Sequence, residues 1–374
     1  MRCGAPVAAG LAALLVASCS SQAPHRPRVV ATAGGAATAP ADWSKVGRFE
    51  MLTQYSPSST FVGQATDLAE ISQSFTGILL ASGKLNESRV QAVQLSASLG
   101  LHVWLDIDLT TPYARGESIT RRLQSLAAFA REHRDVVVGA KLANEIGQED
   151  PYAHDPRLVE GYLREVGKVL HAEAPGLPVT VDMPIPEAPC QPSAPGVSAL
   201  GGPAACLAKV KRSFPALQQK NVDHYLSLGV LDGVFVTPYL RQDEVYAAVG
   251  TDTADVLRFS YRWLKQRPWA SKLRLFSRKA LAFPEKRYPG TPSDAQLAVT
   301  RHLQVPLDEG LSGTDIWAWR RPFRGELRTL MNKDGTPNAL WTGIATFRQK
   351  LPLSRPGTAA GRTPLLPAES AGTA

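Results

Sequence analysis

Four stretches of this sequence place carboxylates directly behind short apolar runs: Asp106-Ile107-Asp108, Asn144-Glu145, Asp182 and Asp315. Aromatic residues occupy similar positions, with Tyr239 after Val234-Phe235-Val236-Thr237-Pro238 and Trp317 and Trp319 after Ile316. Carboxylates beside flat rings suit carbohydrate. Splitting a glycosidic bond needs one carboxylic acid to protonate the leaving oxygen and a second carboxylate to stabilise or attack an oxocarbenium-like centre. An aromatic face covers the apolar face of a sugar ring. Each residue also has a plainer use. Glu145 can pair with Arg or Lys and cap the next helix, Asp106 and Asp108 can pair with Arg115 or Arg121, and Asp182 can fix a turn before Pro184 and Pro186. Trp317 or Trp319 can fill a core, as Trp104 is expected to do.

The elements that must position these residues follow one pattern from Phe49 onward: apolar run, polar loop, helical stretch. The strand candidates are Phe49 to Tyr55, Gly77 to Ala81, His102 to Ile107, Val136 to Ala143, Pro178 to Asp182, Gly233 to Thr237, Leu273 to Phe276 and Gly313 to Trp317. Helical periodicity marks Glu87 to Leu99, with Asn86 as N-cap and Gly100 as stop, and Ile119 to Glu132. It also marks Leu158 to Ala172, Thr253 to Lys265, Asp294 to Leu307 and Asn338 to Gln349. Strands alternating with helices imply parallel pairing, and eight such units over residues 43–351 match an α/β fold of the closed (β/α)8 type, a TIM barrel. An open doubly wound sheet would run its first strand into a Gly-rich phosphate loop. Here that strand runs into Gln54-Tyr55-Ser56-Pro57. Pro184 to Asn221 reads as an insertion after the fifth strand.

In a barrel of this kind the working residues stand at the C-terminal strand ends. The fourth strand end, Lys141-Leu142-Ala143-Asn144-Glu145, resembles the clan A glycoside hydrolases, in which an Asn-Glu pair closes that strand. The resemblance implies Glu145 as the acid/base and Asn144 as a contact to the sugar 2-hydroxyl, with Tyr239 and Trp317 at the places where the clan carries aromatic residues. Asp108, Asp182 and Trp319 join them as candidate sugar contacts. One departure stands out. The clan places its nucleophilic Glu at the end of the seventh strand, whereas Leu273-Arg274-Leu275-Phe276 continues into Ser277-Arg278-Lys279. The second carboxylate would then be Glu285 in the following loop, or Asp315, Asp182 or Asp108. Otherwise the barrel binds glycan without cutting it. Arg278 and Lys279 are either solvated or ready to receive an acidic group of a ligand.

The N-terminus has the charged, apolar and small-residue regions of an export signal. Val16-Ala17-Ser18-Cys19 resembles the bacterial lipobox at all four positions, which implies cleavage before Cys19 and its acylation. The expected organisation is a signal at 1–18, a lipidated N-terminus and flexible linker at 19–42, the barrel, and a disordered tail at 352–374. No apolar run approaches the roughly 18 to 20 residues of a spanning helix. Anchorage would therefore rest on acyl chains, with a lipid bilayer as partner and the protein on the extracytoplasmic face of a cell or outer membrane. Two cysteines remain, Cys190 and Cys206, in one Pro/Gly/Ala-rich loop, and an oxidising compartment predicts a disulfide between them.

The chain of 374 residues is 44% hydrophobic and 20% charged, which excludes a disordered or fibrous protein. Its balance of 41 Lys and Arg against 33 Asp and Glu gives a charge of +8, but the basic residues are scattered, so a nucleic-acid partner is not expected. None of the seven His is spaced from another as a metal ligand, and neither metal nor cofactor is expected. The expected protein is a monomeric, membrane-anchored lipoprotein whose glycoside hydrolase-like barrel acts on a cell-envelope or extracellular polysaccharide. The alternative is a non-catalytic glycan-binding or envelope-assembly lipoprotein on the same fold.

Overall fold

A computed structural model describes residues 39–83, 85–238, 243–279, 291–316, 319, 322–323, 326–327, 330–332 and 336–351. Eight parallel strands close into a barrel in sequence order: β1 (Glu50–Tyr55), β2 (Gly77–Ala81), β3 (His102–Asp106), β4 (Val137–Lys141), β5 (Val179–Ile185), β6 (Gly233–Pro238), β7 (Arg274–Lys279) and β8 (Gly313–Ile316). β8 pairs with β1 in parallel, which removes both sheet edges. The expected (β/α)8 architecture is the observed one. Among the described residues no helix is long and apolar enough to cross a membrane.

The helices form because their apolar residues recur every three or four positions and their first turns are capped. In Thr253–Lys265 the buried set includes Val256, Leu257, Ser260, Tyr261 and Leu264, and the Asp252 side chain accepts from Ala254 N. In Pro156–Glu173 the buried set runs from Leu158 to Leu170, and Asp155 accepts from Arg157 N and Leu158 N. Asn86 caps Glu87–Ser98 as expected, and Gly100 follows with a φ of 67°, the left-handed conformation that ends a helix at little cost in glycine. The helix expected over Asp294 to Leu307 is observed as Pro292–Val299, a π turn at Thr300–Gln304, and Val305–Asp308.

Strand bounds differ from the sequence reading in three places that matter. β4 stops at Lys141, so Asn144 and Glu145 stand in the turn beyond it rather than at the strand's last rung. β5 runs on to Ile185, with Pro184 opposite Thr237, so the insertion starts two residues later, at Pro186, and Asp182 lies within the strand rather than at a proline-fixed corner. β7 runs on to Lys279, because the edges of β6 and β8 supply backbone partners for Ser277 and its neighbours despite their polar side chains. The insertion folds into short helical segments, including Gly202–Ser213 and Gln219–Leu226, and the expected disulfide joins Cys190 to Cys206.

Candidate functional site

Strand residues two apart face the same side, so the inward face can be read in layers. The lower layer is apolar and aromatic: Leu52, Leu79, Trp104, Phe235 and Phe276 pack together, with Phe235 stacked on Phe276 at 4.6 Å between ring centroids. Gly139 is required there, because a Cβ would sit 2.4 Å from the Trp104 ring. Two residues further along the strands the same face becomes charged. Trp104 gives way to Asp106, Gly139 to Lys141, Phe276 to Arg278, and Thr180 to Asp182. Asp315 on β8 is in register with Arg278.

These charges form one network. Lys141, fully buried, directs its ammonium at Asn144 Oδ1 (2.7 Å), Asp315 Oδ2 (3.4 Å) and Asp106 Oδ1 (3.5 Å). The first two are hydrogen bonds and the third is an ion pair. Arg278 is shared among three acids: its Nη1 bonds Asp182 Oδ2 and lies 3.4 Å from Glu145 Oε1, and its Nε lies 3.4 Å from Asp315 Oδ2. The second oxygens of Asp182 and Asp315 are buried with no hydrogen-bond partner among the described residues.

Burial dominates the acids. Removal from water pushes Asp182 up to about 7, with Arg278 and Lys141 pulling it down and Glu145 and Asp315 pushing it further up. Asp106 is raised for the same reason, with Lys141 opposing. Burial would lower Lys141, but Asp106 and Asp315 outweigh it and hold the ammonium charged.

The turn beyond β4 is held from several sides. Tyr162, from Pro156–Glu173, donates its hydroxyl to the Leu142 carbonyl, and Ile146 N donates to the Asp182 carbonyl (3.1 Å). Gln54 Nε2 donates to Asn144 Oδ1 at 3.3 Å. Glu145 takes a φ of 44°, a left-handed conformation rare for a residue with a Cβ. Its side chain is 37% exposed, more than those of Asp106 (10%), Asp182 or Asp315 (0%), so it is the open carboxylate of the network.

The structure thus brings Asn144, Glu145, Asp182 and Asp315 together, with Asp106 beside them. Asp108 stands apart: it is exposed and accepts from Thr110 N (3.2 Å) and Thr110 Oγ1 (2.6 Å), holding the start of the helix Thr110–Ala114. Asp106 pairs with Lys141, not with Arg115 or Arg121. Trp319 is 3% exposed and belongs to the main core, so it fills the protein rather than offering a face to a ring. Tyr239, Glu285, Trp317 and Cys19 lie outside the described residues.

Sequence reasoning gave no role to Lys141 and Gln54 and placed Arg278 beyond its strand. The available signal was spacing, since Lys141 follows inward Gly139 by two and Arg278 follows inward Phe276 by two. Among the described residues no group of His, Cys, Asp and Glu is arranged to hold a metal ion.

No protein-family model matches this sequence, and no curated protein matches it. Solved structures similar in fold include a thermostable mutant of a xylanase from Cellvibrio japonicus, at a TM-score of 0.51 and 13% identity over 80% of this chain and 97% of that one. A β-galacturonidase from Eisenbergiella tayi gives 0.53 and 13% over 81% of this chain and 51% of its own. A β-glucuronidase from Bacteroides uniformis gives 0.52 and 14% over 81% and 35%. The chain therefore spans about half of the galacturonidase and about a third of the glucuronidase. The chain shares the barrel fold of these glycoside hydrolases.

Proposed function

We propose that this protein is a glycan-binding barrel of the glycoside hydrolase type, anchored by an acylated Cys19 to the extracytoplasmic face of the envelope, that holds a polysaccharide without cleaving it. One observation carries the reading: Arg278, at the end of β7, places a guanidinium nitrogen 3.4 Å from Glu145 and in hydrogen-bond contact with Asp182. Cleavage through an oxocarbenium-like centre develops positive charge beside the acid/base and needs a free carboxylate opposite. A buried guanidinium there repels that charge, and the attraction that would stabilise it is already taken up by the ion pairs. Asp182 and Asp315 are both fully buried and both tied to Arg278, so neither is free to attack. A polar, hydrogen-bonding mouth above an apolar floor remains well suited to sugar hydroxyls.

The second reading is a hydrolase with Glu145 as acid/base. It is favoured by the position of Glu145 after Asn144 in the turn beyond β4, with the most open carboxyl of the network. The two separate in one experiment: the purified protein is incubated with a panel of envelope and extracellular polysaccharides, and retained glycan and new reducing ends are both measured. Binding without new reducing ends is expected. Reducing-end release that disappears in Glu145→Gln would overturn the binding reading and restore the hydrolase.

A further inference from the structure

The helix C-terminal ends and the turns that lead into the strands gather on the barrel's N-terminal face, opposite the carboxylates of the mouth. The described chain also starts there. Asp42 N donates to the Gly176 carbonyl (2.7 Å), and Trp43 packs beneath the barrel against Trp104 and Phe276, at 6.3 and 6.2 Å between ring centroids. An anchor at the N-terminus therefore joins the barrel at this face.

Four cations stand on the face with exposed side chains and no ion pair among the described residues: Arg48 before β1, Arg134 before β4, Lys272 before β7, and Lys350 at the end of the helix Ala339–Lys350. The helix dipole accounts for Lys350. It gives no reason for the other three, which lie outside any helix. The remaining charges largely cancel: Asp42 and Asp135 face Lys45, Arg131 pairs with Glu173, and Arg262 pairs with Glu309. Glu132 and Asp308 are exposed acids with no cation among the described residues, so positive charge is in excess. Between the turns that lead into β4 and β5 the face opens a crevice of about 530 Å3, edged by Lys45, Arg131 and Arg134 and floored by Val137 and Leu177. It is roomy enough for a glycerophosphate headgroup.

We propose that the N-terminal face of the barrel is a membrane-docking surface, which binds anionic phospholipid headgroups through Arg48, Arg134, Lys272 and Lys350 and turns the mouth away from the bilayer. A cation close to an anionic leaflet gains about fivefold in partition, so the four act together without deep insertion. An acyl chain holds the N-terminus at the bilayer but does not orient the barrel. The basic face does, and it presents the mouth to polymers outside the membrane. The biological setting rests on the anchored reading above, whereas the affinity of the face for anionic lipid does not.

The test uses the full chain carrying Cys19→Ala, which takes no acyl chain, sedimented with vesicles of phosphatidylcholine alone or mixed with phosphatidylglycerol. At a salt concentration of about 0.1 M the parent should prefer the anionic vesicles, and the preference should fade as salt is raised. Changing Arg48, Arg134, Lys272 and Lys350 together to Gln should cut binding to the anionic vesicles about a hundredfold or more. A control quartet around the mouth, Arg115, Arg121, Arg157 and Lys220 changed to Gln, should leave it within about twofold, because those charges lie on the far side of the barrel, beyond a Debye length of about 10 Å. Thermal unfolding should be the same in parent and docking variant, since none of its four residues holds an ion pair. Equal loss in the two quartets would show a response to net charge and overturn the docking face. A parent indifferent to phosphatidylglycerol would overturn the lipid partner, as would vesicle binding unmoved in the docking quartet while binding to soluble polygalacturonate is lost. Absence of acylation at Cys19 would leave a positive result standing, and a negative result here would leave the acyl anchor standing.

Discussion

Arg278 and Glu145 meet with 3.4 Å between Nη1 and Oε1, although one sits on β7 and the other in the turn after β4. The same guanidinium nitrogen bonds Asp182, so a single cation links three sectors of the barrel once Asp315 is included. Arg278 is held charged: burial opposes this, but Asp182, Asp315 and Glu145 outweigh it.

Replacing Arg278 by Met should be severely destabilising, by about 3–5 kcal/mol, because it leaves the fully buried Asp182 and Asp315 without their main counter-charge. Arg278→Lys should recover part of the loss, since an ammonium keeps the charge but not the planar fork that reaches three acids. Urea unfolding of the three proteins measures the order; equal stability of wild type and Arg278→Met would mean the network adds nothing.

Asp182 should make stability fall as pH rises. Its folded-state pKa of about 7 lies above the ordinary 3.8, so between those values the folded protein holds a proton that the unfolded chain has released. The contribution is complete below about 4 and is lost progressively up to about 7. In Asp182→Asn this part of the pH dependence should vanish from a series of thermal unfolding curves, and a slope unchanged from wild type would contradict the assignment.

The base of the barrel carries a two-sided dependence. Glu50, fully buried, accepts from Gly47 N (2.6 Å) and Thr76 Oγ1 (2.6 Å) and pairs with His102 Nδ1 at 2.8 Å. Burial opposes both charges, yet the pair lowers Glu50 and raises His102. Stabilisation by His102 is therefore complete below its ordinary 6.5 and is lost as pH rises through its higher folded value. Stabilisation by Glu50 is present above its ordinary 4.5 and is lost as pH falls through its lower folded value. His102→Gln should lower stability at pH 6 and leave it nearly unchanged well above the folded-state pKa of His102, as read by chemical denaturation at each pH.

The disulfide closes a loop of 16 residues, for which the chain-entropy relation gives about 3 kcal/mol. Cys190→Ala with Cys206→Ala should lose about that much. Reductant should do the same to the wild type and nothing further to the double variant. A wild type indifferent to reductant would show that the cross-link is not what holds this loop.

Acylation at Cys19 predicts that the full chain, expressed in its own cell type, partitions with membranes and incorporates a labelled fatty acid. Cys19→Ala should lose the label and leave the membrane fraction. A variant still labelled and still membrane-bound would place the anchor elsewhere.

How much of this was legible beforehand depends on how local each signal is. Eight apolar runs alternating with amphipathic helices fixed the barrel, because backbone pairing and helix burial leave a mark every two or every three to four residues. Asn86 announces a helix start through a contact three residues away. Asn144-Glu145 could be placed at the fourth strand end for the same reason. The misplacement of Arg278 also has a physical cause: Ser277, Arg278 and Lys279 carry no apolar signature, and they are strand only because neighbours on both sides hydrogen-bond them.

The sequence by itself therefore determined the fold class, the order of its strands, the place of Asn144-Glu145 after the fourth of them and the pairing of Cys190 with Cys206. Tertiary structure alone decided what those carboxylates meet. Arg278 and Asp182 are 96 residues apart, and Lys141 and Asp315 are 174 apart. No local pattern records such pairs, because they arise only when barrel closure turns residues from five strands toward one axis and water is excluded around them. That exclusion made each buried acid seek a cation, and so set the charge of the site.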